Sequence, residues 1–429
     1  MMKSIRFFCL VAMLCVSTIA EAQDANWPQW RGVNRDGHAA KQNLLQSWPT
    51  DGPSLAWSAK GLGTGYSACA VVGDLVYTMG SKDGQAVVDC LSLTDGTTRW
   101  SQAIGPAGQD DDYNTGWGAG QRSTPTVDGN QVFAWTDKGV VAALNRNNGD
   151  VQWSVDLVAK YGGKVPTWGY SASPLVDGNR VIVCPGGDNF LIGLNRRNGN
   201  QVWGSNGVSA SAEYVSPIKA TVGDKTFYVT ASKPGLYGFD VKTGEKLFED
   251  SATGNNIAVI PTPIVSGDLL YHTSAYGAGN VLLRLVPSAD GLTSVSVYAL
   301  NSKSMENHHG GVVLVDGVIY GFTKQSGGCW MAQDLASGES LWTERARPNR
   351  SGSICYADGR LYCYGDKDGS VELVEPSRDG FKSHGKLVIP QETSVPRKQG
   401  AIWAHPVVAG GKLIIRDQDL LYAFDVSAK

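Results

Sequence analysis

Eight short segments of this 429-residue chain place aromatic, imidazole, amide or guanidinium groups just ahead of an apolar strand. They read GTGYSA with Tyr66, YNTGWGAGQRSTP with Trp117 and Arg122, PTWGYSASP with Trp168 and Tyr170, and SAEYVSP with Glu213 and Tyr214. The other four are GNNIAVIPTP with Asn255 and Asn256, MENHHGG with Asn307, His308 and His309, RPNRSGS with Arg350, and AIWAHP with Trp403 and His405. Rings of this kind stack on ligands, amides hydrogen-bond them, and an arginine fork clamps a carboxylate or phosphate. Arg122 and Arg350 are open to two readings, such a clamp or a tie between a loop and backbone carbonyls. Neighbouring residues on an extended segment point to opposite sides, so at most one of His308 and His309 is expected to face the others. A metal would then need that histidine, His405 and Glu213 from three separate segments, and no metal site is expected. Asp110, Asp111 and Asp112 read as a solvated loop. Asp366-Lys367-Asp368-Gly369 lacks the third oxygen position and closing glutamate of a calcium loop and reads as a turn.

What must position these groups is a repeat. Each unit has an apolar strand, a glycine turn, a second strand, a third, and another glycine turn leading to an aromatic residue. The first hairpins begin at Ala68, Pro125, Pro174, Pro217, Pro263, Val312, Ile354 and Pro406. Their Gly-Asp, Asp-Gly or Gly-Gly turns supply the positive φ that a tight hairpin needs. The outer turns place Trp100, Trp153, Trp203, Phe248 and Trp342 four residues after a glycine. One ring per unit would thus enter the seam between neighbouring sheets, as a packing residue. Units five and seven, around Gly291 and Gly380, lack that aromatic, so their outer edges are expected to pack more loosely.

The last unit supplies three strands, while GPSLAWSAK near the start is an orphan outer strand with Trp57 in the seam position. The expected fold is therefore all-β: an eight-bladed β-propeller of four-stranded antiparallel blades, closed by the N-terminal outer strand joining the C-terminal blade. Residues 54–429 form the expected propeller domain and 23–53 a preceding strap, pinned by Trp27 and Trp30. Turns within blades are short on one face. The eight connections between blades share the other face and converge on the axis, as a funnel for a small ligand or peptide.

Residues 1–22 read as an export signal: Lys3 and Arg6 precede an apolar run from Phe7 to Ala20, and Ala20-Glu21-Ala22 offers a cleavage site. The run is too short to span a bilayer and no cysteine follows the cleavage site as lipid anchoring requires, so a soluble protein of the periplasm or exterior is expected. A net charge of −3 gives no footprint for nucleic acid. Nothing calls for membrane insertion, and a monomer is expected. Of the six cysteines past the leader, Cys355 and Cys363 flank the Asp358-Gly359 turn, where strand pairing could set them opposite each other as an intra-hairpin disulfide. The alternative is that all six are small buried strand residues.

The outer-turn pattern in FDVKTGEKLF and LNRNNGDVQW resembles pyrroloquinoline-quinone-like repeats, as in quinoprotein alcohol dehydrogenases and the outer-membrane β-barrel assembly propeller. NWPQWRG, GYSASPLVDG, NHHGGVVLVDG and WAHPVVAGGKL are closer still to a family of exported propellers of planctomycete-like bacteria. The dehydrogenase resemblance implies pyrroloquinoline quinone with calcium, an adjacent-cysteine disulfide and a glutamate after Gly-Ala. The chain has no adjacent cysteine pair and no haem attachment motif, and Ala212-Glu213 stands in a different connection. Trp403, Arg122 and Asn307 suit a quinone chemically without matching a motif. The favoured expectation is thus a non-catalytic scaffold that binds a protein, peptide or glycan through its loop-rich face. The alternative is a diverged quinone-dependent alcohol or sugar oxidoreductase.

Overall fold

The computed structural model describes residues 25–289, 291–301 and 303–428, so the expected export signal lies outside the described residues. The chain forms eight four-stranded antiparallel sheets, seven from consecutive strands. The innermost strands begin at Ala70, Thr126, Leu175, Ile218, Ile264, Val312, Gly352 and Val407, at the eight places the repeat marks. The eighth sheet combines Val407–Ala409, Lys412–Asp417 and Leu420–Asp425 with Leu55–Ala59, whose Trp57 lies opposite Ala423. Closure by that early strand gives the last blade its outer strand and covers an edge that would otherwise be exposed.

Four of the seams repeat one contact. The indole Nε1 of Trp57, Trp100, Trp153 and Trp342 donates to the carbonyl of Leu93, Arg146, Arg196 and Ser377, each in the outer turn of the next blade. Three residues past the Arg196 carbonyl, Gly199 has φ +70° and a Cβ there would come within 2.7 Å of the Trp153 ring. Glycine is required at that position both for its conformation and for the neighbour's indole. Trp203 departs from the pattern because Arg180 takes the Val241 carbonyl, leaving the buried indole nitrogen without a partner and the ring edge-on to Tyr228.

In blades five and seven, which lack an aromatic at the expected spacing, a ring from another position stands at the outer edge. The outer hairpin of blade five is long, Gly279–Ser288 and Gly291–Leu300, and its Tyr298 donates to the Leu335 carbonyl in the place a tryptophan takes elsewhere. In blade seven the ring comes from residue 48. The Trp48 amide donates to the His384 carbonyl, and its ring meets Tyr362 at 5.8 Å.

Residues 25–45 run across the inner strands of many blades. Backbone bonds join Trp27 to Val71, Pro28 to Val127 and Gly37 to Tyr356. Two buried arginines extend this: Arg35 donates to the carbonyls of Ser173 and Pro174, and Arg31 to that of Val312. Burial lowers Arg31 to about 10 and Arg35 to about 9, still cationic at neutral pH.

The six cysteines among the described residues are buried and unpaired. Cys355 pairs with Tyr362 and Cys363 with Ile354, so the turn sets the two sulfurs on opposite faces of the sheet, and the candidate hairpin disulfide is not formed. Among the described residues no helix is long and apolar enough to cross a membrane.

Candidate functional site

Antiparallel order puts the connections between second and third strands on the same face as those between blades. Both sets build one cavity of about 340 Å³ at the axis. Of the residues singled out in the sequence, Tyr66, Trp117, Arg122, Trp168, Tyr214, His308, His309, Trp403 and His405 line it. The rings form a nearly continuous wall. Trp403 sits 5.3 Å from Tyr66, stacks at 6.5 Å on Trp117, and meets His309 at 5.6 Å. Trp168 lies against Tyr214 at 5.8 Å.

Both histidines of the pair line the cavity, contrary to the expectation of one. The alternation argument assumed an extended segment, but the chain bends at His309-Gly310. The bend is held by Asn307, which accepts from the Gly311 amide and donates to the Gly311 and Phe322 carbonyls. Asn307 is accordingly buried beneath the loop and does not line the cavity. His308 hydrogen-bonds Tyr276 at 2.9 Å, and His405 donates Nε2–H to the His309 carbonyl. Burial holds His309 near 3 and pushes His308 and His405 well below the usual imidazole value, so all three are neutral at physiological pH.

Three other expected residues also fall outside. Tyr170 follows Gly169, whose φ of +81° turns the chain, so Trp168 enters the cavity while Tyr170 wedges against Trp135 and donates to the Pro185 carbonyl. Arg350 is exposed beside the buried Asn349, which takes the inward position. Glu213 lies behind the wall, accepting from the Val259 amide and the Ser211 hydroxyl. Desolvation there raises its carboxyl to about 7.

Sequence reasoning missed Trp30, Ser171, Ile257, Ala258, Ile260, Tyr276 and Lys324 as lining residues. Trp30 contributes from the strap segment, donating to Thr262 Oγ1 and packing at 4.4 Å on His405. Asn255 accepts from the Ile257 and Ala258 amides, which shapes the lip carrying Ile257. Asn256 is exposed. Tyr276 and Lys324 come from connections between second and third strands, a set whose face could have been inferred from strand parity. Arg122 is fixed by the Gly118 and Gly120 carbonyls, with its guanidinium carbon 5.4 Å from the centre of the Tyr66 ring.

A calcium-held quinone does not fit these residues. Calcium needs several oxygen ligands, normally with carboxylates. Among the described residues no aspartate or glutamate lines the cavity, and Glu213 is engaged behind it. Among the described residues no three His, Cys, Asp or Glu side chains are grouped to hold a metal.

Residues 84–344, more than half of the chain, match the family described as outer membrane protein assembly factor BamB. The relative of that description from Burkholderia pseudomallei (strain K96243) is 25% identical over 395 residues, 90% of this chain and 91% of that one. The crystal structure of BamB from Moraxella catarrhalis superposes with a TM-score of 0.59 at 15% identity, covering 87% of this chain and 97% of that chain. A europium-containing methanol dehydrogenase reaches 0.63 at 13% identity, covering 91% of this chain and 89% of that one, a likeness of fold alone. With its repeat, its closure and its matched central six-tenths in agreement, the chain belongs to the BamB family of propellers.

Proposed function

We propose that this chain is an exported recognition scaffold of the cell envelope that docks a protein partner on its loop-rich face, with the axial aromatic cavity as the anchor point. The observation that carries the reading is that cavity: rings from several blades converge where the long connections meet, and Trp117 and Ile257 remain 44% and 47% exposed at its mouth. Apolar side chains held exposed beside a concave aromatic site are what a partner's anchor residue would cover. Membership of a family described as an assembly factor supports a protein partner, and the leader-like residues 1–22 support a periplasmic setting. No residue set in the cavity favours the oxidoreductase alternative.

The test is photo-crosslinking in the native envelope, with a photoreactive amino acid placed at Ile257 and, as a control, at Val202 on the rim of blade three. A discrete protein adduct at 257, absent at 202 and lost with Trp403→Ala, is expected. Adducts at both positions, or at neither, would remove the loop-rich face as the docking surface. Trp403→Ala should keep its melting temperature within a few degrees, because Trp403 borders an open cavity.

A further inference from the structure

We propose that the axial cavity recognises a carboxylate carried on an apolar or aromatic body. This rests on reading the cavity as a binding site and adds the chemistry of what it holds. The walls set the body: Trp30, Trp117, Trp168, Trp403, Ile257 and Ile260 offer flat or branched apolar surface, and about 340 Å³ lies at the small end of ligand sites. The charges set the head group. Among the described residues Arg122 and Lys324 are the cations of the lining, and no carboxylate accompanies them there.

Some partly buried cations elsewhere have acids in contact, Lys82 with Asp89 at 2.7 Å, Arg397 with Glu392 at 3.1 Å and Lys138 with Asp112 at 2.7 Å, whereas the buried Arg31 and Arg35 are held by backbone carbonyls outside the cavity. Among the described residues neither Arg122 nor Lys324 makes an ion pair. Arg122 is held instead by two carbonyls and by the faces of Tyr66 and Tyr113, and Lys324 lies 5.0 Å from the centre of the Tyr276 ring. Glu306, on the connection before Lys324, is turned to the Gly277 amide. The three neutral imidazoles add no charge of either sign. Two positioned cations in an aromatic cavity without an acid form a field that an anion complements, and charge-assisted bonds strengthen as water is displaced.

Such a carboxylate has two sources: a small aryl acid, or the free C-terminus of a peptide ending in an apolar residue. Calorimetric titration of the leaderless protein separates them, using indole-3-propionate against its primary amide, and a hexapeptide ending in phenylalanine with a free against an amidated C-terminus. At least one acid should bind about tenfold or more tightly than its amide. Lys324→Gln or Arg122→Gln should erase that preference while leaving the weak affinity for the amide, with melting curves confirming that each variant folds. Equal affinity of acids and amides overturns the inference, as does a preference surviving both substitutions. If the two peptide forms bind equally and the small acid binds no better than its amide, protein docking stands and carboxylate recognition falls. If the small acid binds and neither peptide does, the head-group chemistry stands and protein docking through this cavity falls.

Discussion

Glu213 illustrates how a single residue can be chemically suggestive in sequence and structural in place. Its carboxyl is buried between the connection leading into blade four and the Val259 amide of the next one, and desolvation raises it to about 7. The folded state therefore binds this proton more tightly than the unfolded chain does. The associated stability is fully present below about 4.5 and is lost as pH rises through about 7. Glu213→Gln should accordingly stabilise the protein by about 2 kcal/mol at pH 8 and change it little at pH 5, read from urea midpoints at the two values. An equal offset at both would mean that packing, not charge, sets the effect. His272 acts in the opposite direction. Buried against Thr253 and the Pro261 carbonyl, it is lowered to about 4, so its contribution is present above about 6.5 and fades as pH falls.

At the scale of the element, the outer strands are held by what their aromatic residues reach in the next blade. Trp153 is buried, donates to the Arg196 carbonyl at 2.8 Å and fills the space left by Gly199. Trp153→Ala should cost about 3 to 5 kcal/mol in chemical denaturation, the usual range for a buried aromatic truncation, and clearly more than Trp403→Ala. Comparable losses for both would make Trp403 a packing residue and weaken its role as an anchor. The rings of blades one to four and six could be read from glycine spacing, because each follows its own outer turn at a constant interval. Tyr298 and Trp48 could not. The first sits on a lengthened hairpin that shifts the interval, and the second reaches blade seven from more than 300 residues away.

For the whole molecule, closure depends on Leu55–Ala59 completing blade eight. A chain starting at Gly61 would lose this strand and the segment that ties inner strands together, exposing the Leu420–Asp425 edge. It should melt at lower temperature and self-associate in light-scattering chromatography. A peptide of residues 25–60 added in trans should restore a monomer by strand addition. A truncated chain that stays monomeric and melts unchanged would show that closure contributes little.

The sequence by itself determined the number of blades, the strand order, the closing strand and most of the ring-bearing loops. All of these follow from a local pattern repeated along the chain: glycine turns, apolar strands and one aromatic per unit. Tertiary structure decided which loop side chains share the cavity. A glycine at 169 divides Trp168 from Tyr170, a bend held by Asn307 turns both histidines inward, and blade parity brings Tyr276 and Lys324 to the face of the connections between blades. A repeat is a one-dimensional signal. A cavity at the axis is the sum of eight directions, each set by contacts that only the closed ring creates.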